Sequence, residues 1–429
     1  MISIIGTGYV GLTTAVCFAS MNFDVICVDI DEEKIEKIKK REIPFYEPEL
    51  SDLLEKSSQK LEFTTDTNYA IENSEISFIC VGTPSKADGS IDLRYVESSS
   101  FEIGKALKKN HIVVVKSTVI PGTTDRIVKP VLERASGKKF GEDFGIVVNP
   151  EFLREGNAVY DFFNPDRIVI GSLDDTSRIE ISKLYESFDC PKLYTDFRTA
   201  EMIKYASNAF LATKISFINE IANMCEIFKI DVDKVAEGIG LDHRISPHFL
   251  KAGPGFGGSC FPKDVHAIIS ESKKAGYEPI LLESVLEVNR RQPLYVVEKV
   301  KNILSGLNER KITVLGLSFK PNTDDMRNSP AIPIINELKK NGARVIVYDP
   351  RAIENAKKIF GDSIEYAEDL KSSLRGSDCC VIVTDWEEFK EVKKHIKSMN
   401  NPILIDTRRI LEKTDDILYM GLGRGNNSI

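Results

Sequence analysis

Short apolar runs alternate with amphipathic stretches along most of this chain. Ser3–Ile5 closes an apolar strand, and Leu12–Met21, rich in Ala, Leu and Val, reads as a helix. Asp24–Ile30 (DVICVDI) is a second apolar strand ending near an acid, Asp29. Further strands are predicted at Ile76–Val81, His111–Lys116 and Ile146–Val148. Each runs into a polar or Pro/Gly loop: Gly82-Thr83-Pro84, Ser117 through Gly122, and Asn149-Pro150-Glu151. Strands alternating with helices predict a parallel, doubly wound sheet, in which ligands sit beyond the carboxyl ends of the strands. Those three loops are therefore placed for function. Thr118, taken alone, is equally a turn hydroxyl.

From Thr199, a candidate N-cap, the pattern turns helical for about thirty residues. Met202, Ala206, Ala209, Phe210, Thr213 and Phe217 fall on neighbouring faces. Lys204 and Asn208 are four apart and project from one face; spacing alone reads them as solvated polar residues. Around residue 311 the strand pattern returns, with strands over Lys311–Gly316, Ala343–Asp349, Cys379–Thr384 and Ile403–Asp406 and a helix over Pro330–Lys340.

The first strand leads directly into Gly6-Thr7-Gly8-Tyr9-Val10-Gly11. Strand, glycine turn, helix, strand and acid together make the dinucleotide-binding βαβ unit. Gly6 permits the tight turn, Gly8 lets backbone approach a pyrophosphate, and Gly11 allows close packing of helix on strand. The helix N-terminus offers amide N–H groups and a positive dipole end to phosphates. Asp29 stands 18 residues after Gly11, placed to hold a ribose 2′-hydroxyl and to repel a 2′-phosphate. NAD is thus expected rather than NADP. The pattern from 311 to 349 echoes this unit, but its turn, Gly316 to Lys320, lacks the GxGxxG spacing; it binds a nucleotide differently, or none. The expected fold class is α/β: two Rossmann-like, doubly wound sheet domains joined by a long central helix and a helical domain. The boundaries fall at 1–198, 199–304 and 305–429.

Composition narrows the function. Lys and Arg number 57 against 65 Asp and Glu, a net charge of −8, which argues against nucleic-acid coating and offers no broad basic face to a membrane. No apolar run approaches the ~18 residues needed to span a bilayer. The start has neither the basic region nor the cleavage site of a secretory leader, so a cytoplasmic location is expected. Eight scattered cysteines form no CxxC pair, and the five histidines show no ligand-like pairing, so neither a disulfide framework nor a metal site is expected.

One cysteine stands apart. In Gly253-Pro-Gly-Phe-Gly-Gly-Ser-Cys260-Phe-Pro-Lys-Asp264, the glycines let backbone approach a ligand, and Pro262 suits the first position of a helix. Cys260 then precedes a helix N-terminus, which favours a thiolate; Lys263 adds positive charge, and Asp264 lies close enough to relay a proton. The other seven cysteines read as core. A dehydrogenase needs no cysteine to make an aldehyde. A thiolate is useful for taking an aldehyde to an acid, through a thiohemiacetal and a thioester.

Through these motifs and others, the chain closely resembles the nucleotide-sugar 6-dehydrogenase family over essentially its whole length. The shared motifs are GTGYVG (6–11), VGTP (81–84), STV-PGTT (117–124), NPEFLREG (149–156), K-x3-N (204–208), GPGFGGSCFPKD (253–264), GLSFKPNTDDMRNSP (316–330) and DTRR (406–409). The resemblance implies an NAD-binding N-terminal domain, a helical dimerisation spine and a UDP-binding C-terminal domain. It implies oxidation of UDP-glucose to UDP-glucuronate, with two NAD reduced per sugar.

Carried onto this sequence, the resemblance makes Cys260 the nucleophile. Lys204 and Asn208 stabilise oxyanions, Thr118 and Asp264 hold a water, and Glu151 assists thioester hydrolysis. The first-step base stays open among Lys204, Asp264 and that water. Glu151, Phe152, Leu153, Lys204, Asn208, Phe249, Lys251, Gly253, Gly257, Lys320 and Arg408 are implied for the UDP-sugar, and Arg244 for the neighbouring subunit's substrate in a homodimer. For NAD the matches are Gly6, Thr7, Gly8, Tyr9, Val10, Gly11, Asp29, Lys34, Thr83, Thr118, Glu155, Lys263 and Arg327. Lys34 stands where the family often has arginine. The rivals are a family member acting on GDP-mannose or on a UDP-N-acetylhexosamine, a two-electron β-hydroxyacid dehydrogenase, and a nucleotide-binding regulator. The N-acetylhexosamine branch usually departs from FGGSCFPKD after the cysteine, which this chain keeps; the GDP-mannose branch shares more of that segment and is the nearer rival.

Overall fold

A computed structural model describes residues 1–412 and 417–425. The chain divides into two compact units: Met1–Ser207 with His266–Lys274, and Asn208–Val265 with the chain from Ala275 onward.

The first unit is built on an eight-stranded sheet. Its strands are β1 (Ile2–Ile5), β2 (Val25–Val28), β3 (Leu61–Thr64), β4 (Ile76–Ile79), β5 (His111–Val115), β6 (Phe144–Val148), β7 (Ile168–Ser172) and β8 (Lys192–Thr195), in spatial order 3-2-1-4-5-6-7-8. The first six run parallel, with Ile4 opposite Cys27 on one side and Phe78 on the other. The purely parallel expectation fails at the far edge, where β7 joins β6 antiparallel and β8 follows β7.

Period-2 alternation divides the apolar residues between two faces. Ile2, Ile4 and Phe78 pack on one side with Leu12 and Phe18 of helix α1 (Tyr9–Ser20), while Ile5, Val28 and Ile79 pack on the other. Helix α1 begins inside the glycine motif, three residues before the predicted start, and is buried from Gly11 to Ala19. Helix α2 (Glu32–Lys39) follows β2, capped by Asp31.

The second unit carries a six-stranded, fully parallel sheet of β9 (Lys311–Leu315), β10 (Arg344–Tyr348), β11 (Glu365–Tyr366), β12 (Cys379–Ile382), β13 (Ile403–Asp406) and β14 (Leu418–Gly421). Its order, 11-10-9-12-13-14, is that of a dinucleotide fold.

One helix, α3 (Phe197–Phe228), passes from the first unit into the second. It starts two residues before the predicted cap. Asp196, not Thr199, does the capping, accepting from the Thr199 amide at 3.0 Å and its hydroxyl at 2.6 Å. Helices α4 (Val232–Gly240), α5 (Phe261–Lys274) and α6 (Ile280–Leu304) follow, and α7 (Ala331–Lys340) joins β9 to β10. Among the described residues no helix is long and apolar enough to cross a membrane.

Candidate functional site

At the head of α1 no side chain caps the first-turn amides. A Cβ on Gly8 would meet nothing within 4 Å, whereas one on Gly11 would lie 1.9 Å from the Gly6 carbonyl oxygen. Gly11 is therefore needed for internal packing, while Gly8 leaves open a space at the helix N-terminus into which phosphates would fit. Asp29, at the end of β2, accepts from the Thr7 amide and hydroxyl, both at 2.8 Å, and from Lys34 Nζ at 2.6 Å. Burial opposes its charge, but the hydrogen bonds from Lys34 and Thr7 outweigh it and hold the carboxyl below its ordinary range. These residues fit the adenosine end of NAD. Tyr9 donates to buried Glu47, which also accepts from the Gly156 and Ala158 amides. Thr83 donates to the Thr118 carbonyl at 3.0 Å, joining two of the strand-end loops. Glu155 lies near enough to Tyr9 to act on it electrostatically.

The third loop brings Glu151 to Lys204 of α3, Oε1 to Nζ 2.9 Å, both buried. Lys204 is 4 % exposed, so the solvated reading of this residue is overturned. Phe152 lies under Lys204, at 5.4 Å, and under the Arg167 guanidinium, at 3.6 Å. The Leu153 amide turns back to Glu151.

In the second unit Asn208, one turn beyond Lys204 and 6 % exposed, donates to Asp264 Oδ2 at 2.6 Å. Its solvated reading falls for the same reason: a partner arrives from a remote segment. Asp264 is buried and also accepts from Lys263 at 2.6 Å. Cys260, half-buried, caps α5: its carbonyl takes the first intrahelical bond, from the Asp264 amide, and its Sγ lies 3.5 Å from Ser259 Oγ. Because the helix starts at Phe261, Pro262 holds its second position rather than its first.

The glycine loop before Cys260 is clamped from three sides. Asn219 of α3 accepts from the Gly253 amide, Asn289 and Gln292 of α6 bond Phe256 and the Gly253 carbonyl, and the Gly258 amide donates to the Arg327 carbonyl. A Cβ on Gly257 would fall 2.3 Å from the Asn328 carbonyl oxygen, so only glycine passes there. The Arg408 guanidinium comes against Gly253, its Nε donating to the Val383 carbonyl, and burial lowers its ordinary basicity. Phe319 packs on Gly258, and Lys320 lies over the Phe319 ring at 5.5 Å. Phe249 meets the Phe261 ring, and Arg327 forks onto Asp325. Lys251 is exposed. Arg244 stands apart at 78 % side-chain exposure, ion-paired to Asp242 two residues back.

The second βαβ unit resolves the question its turn posed. Asp349, the counterpart of Asp29, accepts from the amides of Leu317, Ser318, Arg351 and Ala352 and from the Trp386 indole. Its carboxylate is consumed by the fold, so it holds no ribose.

Sequence reasoning passed over Asn219, Asn289 and Gln292, polar side chains inside helical runs, and also Lys116, Arg167 and Glu201. Only the apolar context of Lys116, which ends the run HIVVVK, carried a signal.

Comparison with known proteins matches three segments to the UDP-glucose/GDP-mannose dehydrogenase family: its NAD binding domain over residues 1–189, its central domain over 198–291 and its UDP binding domain over 313–413. The chain is 46 % identical to UDP-glucose 6-dehydrogenase TuaD of Bacillus subtilis (strain 168), covering 99 % of this chain and 93 % of that one. A UDP-glucose dehydrogenase from the hyperthermophilic archaeon Pyrobaculum islandicum superposes with a TM-score of 0.93 at 40 % identity, covering 98 % and 97 %. A UDP-D-ManNAc dehydrogenase from Pyrococcus horikoshii superposes at 0.88 with 30 % identity, covering 99 % of both chains.

Proposed function

Because this chain belongs to the UDP-glucose/GDP-mannose dehydrogenase family, and so is an NAD-dependent oxidoreductase, we propose that it oxidises UDP-glucose to UDP-glucuronate in a four-electron reaction. The observation that carries the substrate is full-length identity of 46 % to a relative bearing that name, against 30 % to the UDP-D-ManNAc dehydrogenase. The intact FGGSCFPKD segment supports the same choice against the N-acetylhexosamine branch.

The 1–198 segment takes NAD, 199–304 supplies the spine, and 305–429 takes the UDP moiety. When bound, NAD accepts one hydride in each of two oxidations. In the first unit Gly6 through Gly11 take its phosphates and Asp29, steadied by Lys34, its ribose, with Thr83, Thr118 and Glu155 beside them; of the second unit, Lys263 and Arg327 are assigned to NAD.

Lys204 and Asn208 act as fixed donors to the oxygen at the reacting carbon, where negative charge develops. The first oxidation leaves an aldehyde. The Cys260 thiolate then adds to the aldehyde carbon: a C–S bond forms, the carbonyl π bond breaks, and the oxyanion takes a proton. The thiohemiacetal becomes a thioester when its carbon gives up the second hydride and its hydroxyl returns the proton it had taken. A water held by Thr118 and Asp264 attacks it, the C–S bond breaks, the thiol is released, and Glu151 takes the water's proton. Phe152, Leu153, Phe249, Lys251, Gly253, Gly257, Lys320 and Arg408 surround the UDP-sugar, and arginine and lysine match its diphosphate.

A second copy completes the enzyme. Phe210, Phe217 and Met224 recur every seven residues on α3 and are largely exposed, making an apolar stripe that a symmetry mate covers. Exposed Arg244 then exchanges its ion pair with Asp242 for the partner's substrate. The cytoplasm suits the eight free thiols.

The test is the NADH formed per UDP-glucose consumed. Two is expected; one would show that oxidation stops at the aldehyde, and no NADH, with turnover of another nucleotide sugar, would reassign the substrate.

A further inference from the structure

Lys116 lies one residue beyond β5 and just before the Ser117-Thr118 loop, and it is buried. Among the described residues no carboxylate comes within ion-pair distance of it. Its Nζ donates instead to a neutral acceptor, Asn149 Oδ1, at 3.0 Å, and rests 5.9 Å from the Phe78 ring centre. A buried ammonium served by an amide oxygen is a poor stabiliser, and an apolar residue of like volume is usually tolerated as well or better. Stability alone therefore gives little reason to have a lysine here.

Asn149 connects this lysine to the site. Its Oδ1 also accepts from the Tyr185 hydroxyl at 2.6 Å, its Nδ2 donates to the Val169 carbonyl at 2.9 Å, and its amide donates to the Val115 carbonyl at 2.9 Å. Every polar group of the residue but its carbonyl is thus tied to β5, β7 or the segment carrying Tyr185. Two residues on, Glu151 accepts from Lys204. Burial lowers the proton affinity of Lys116, with Cys80 and Glu151 opposing that shift and Lys204 adding to it.

We propose that Lys116 is a positioning residue for the reaction: through Asn149 its ammonium group sets the Glu151 carboxylate where Lys204 donates to it. Lys116 touches neither substrate nor cofactor in this scheme; it fixes the turn that presents Glu151. The inference rests on the roles proposed above for Glu151 and Lys204.

The test is a double-mutant cycle of Lys116→Met and Glu151→Gln, assayed with UDP-glucose and NAD beside urea unfolding of each full-length variant. K116M is expected to be at least as stable as wild type, with kcat lower by about 10- to 100-fold, the loss typical of an outer-shell partner, and KM within about three-fold. On the E151Q background the same change is expected to alter kcat by less than about three-fold, because the two residues act as one unit. A K116M enzyme with wild-type kcat, or losses that multiply in the double variant, would overturn the proposal. Should K116M be too unstable to assay, Tyr185→Phe removes the other donor to Asn149: it is expected to slow wild type several-fold but not E151Q, and unchanged kcat in both overturns the proposal. A wild-type chain inert toward UDP-glucose would instead refute the substrate reading, which keeps the two failures distinct.

Discussion

Position decides what a cysteine does in this chain. Cys27 and Cys80 sit in strand or strand-end positions of the first sheet, where burial raises their thiols, Cys80 to about 12. Cys260 half emerges at the head of α5, beside the first-turn amides of that helix. Cys260→Ala is expected to lower UDP-glucuronate formation on the order of 10³-fold or more while the NAD-induced rise in melting temperature persists, because the glycine turn is untouched. Near-native product formation would end the covalent mechanism.

A second titrating residue bears on stability. His111, buried and bonded to Ser77 at 2.7 Å, has its pKa lowered to about 4, chiefly by burial and secondarily by Lys108. Its folded value lies below its unfolded one, so the unfolded chain binds the proton first. Its contribution is present above about pH 6.5 and is lost as pH falls toward 4, a loss of roughly 3 kcal/mol. Melting temperatures from pH 7 to 4 are expected to fall less steeply for His111→Gln than for wild type; equal slopes would show that His111 is not the group responsible.

At the scale of elements, α3 sets the site. Glu201, three residues before Lys204, accepts from the amides of Gly122 and Thr124 and from the Thr124 hydroxyl, binding the Thr118 loop to the same helix. Glu201→Ala leaves those donors buried without a partner and is expected to destabilise the chain by about 2–4 kcal/mol. A urea midpoint unchanged from wild type would contradict this. The same helix marks how far local pattern reaches. Its length and period were legible in the sequence, but its cap was not, because Asp196 and Thr199 are both good capping residues and the choice depends on where the chain enters. Lys204 and Asn208 read as solvated because their partners, Glu151 and Asp264, lie 53 and 56 residues away. Asn219 and Gln292 gave no signal at all, since an amide in a helical run becomes a clamp only when a glycine loop passes it.

For the whole molecule, two sheets of similar order serve different ends. Asp29 keeps oxygens for Thr7 and Lys34 beside an uncapped helix, while Asp349 is wrapped by four amides and an indole. The apolar stripe on α3 belongs to this scale as well. If a second copy covers the stripe, as proposed above, Phe217→Glu is expected to reduce the mass measured by light scattering from dimer to monomer and to weaken UDP-glucose turnover by removing the partner that Arg244 would serve. A monomeric wild type, or an F217E chain that remains dimeric, would remove the stripe from the interface.

The sequence by itself determined the α/β plan, the βαβ glycine turn with its acid, the long helix and the singular Cys260. All of these are written in local spacing, in periods of two and of nearly four residues and in runs of glycine. Only the tertiary structure decided that Lys204 and Asn208 are buried, that the last two strands of the first sheet reverse direction, that Asp349 is spent within the fold, and that Lys116 faces an amide rather than a carboxylate. Each of these depends on which distant segment arrives at a position, and burial changes the energetics of a polar group more than any neighbour in the sequence does.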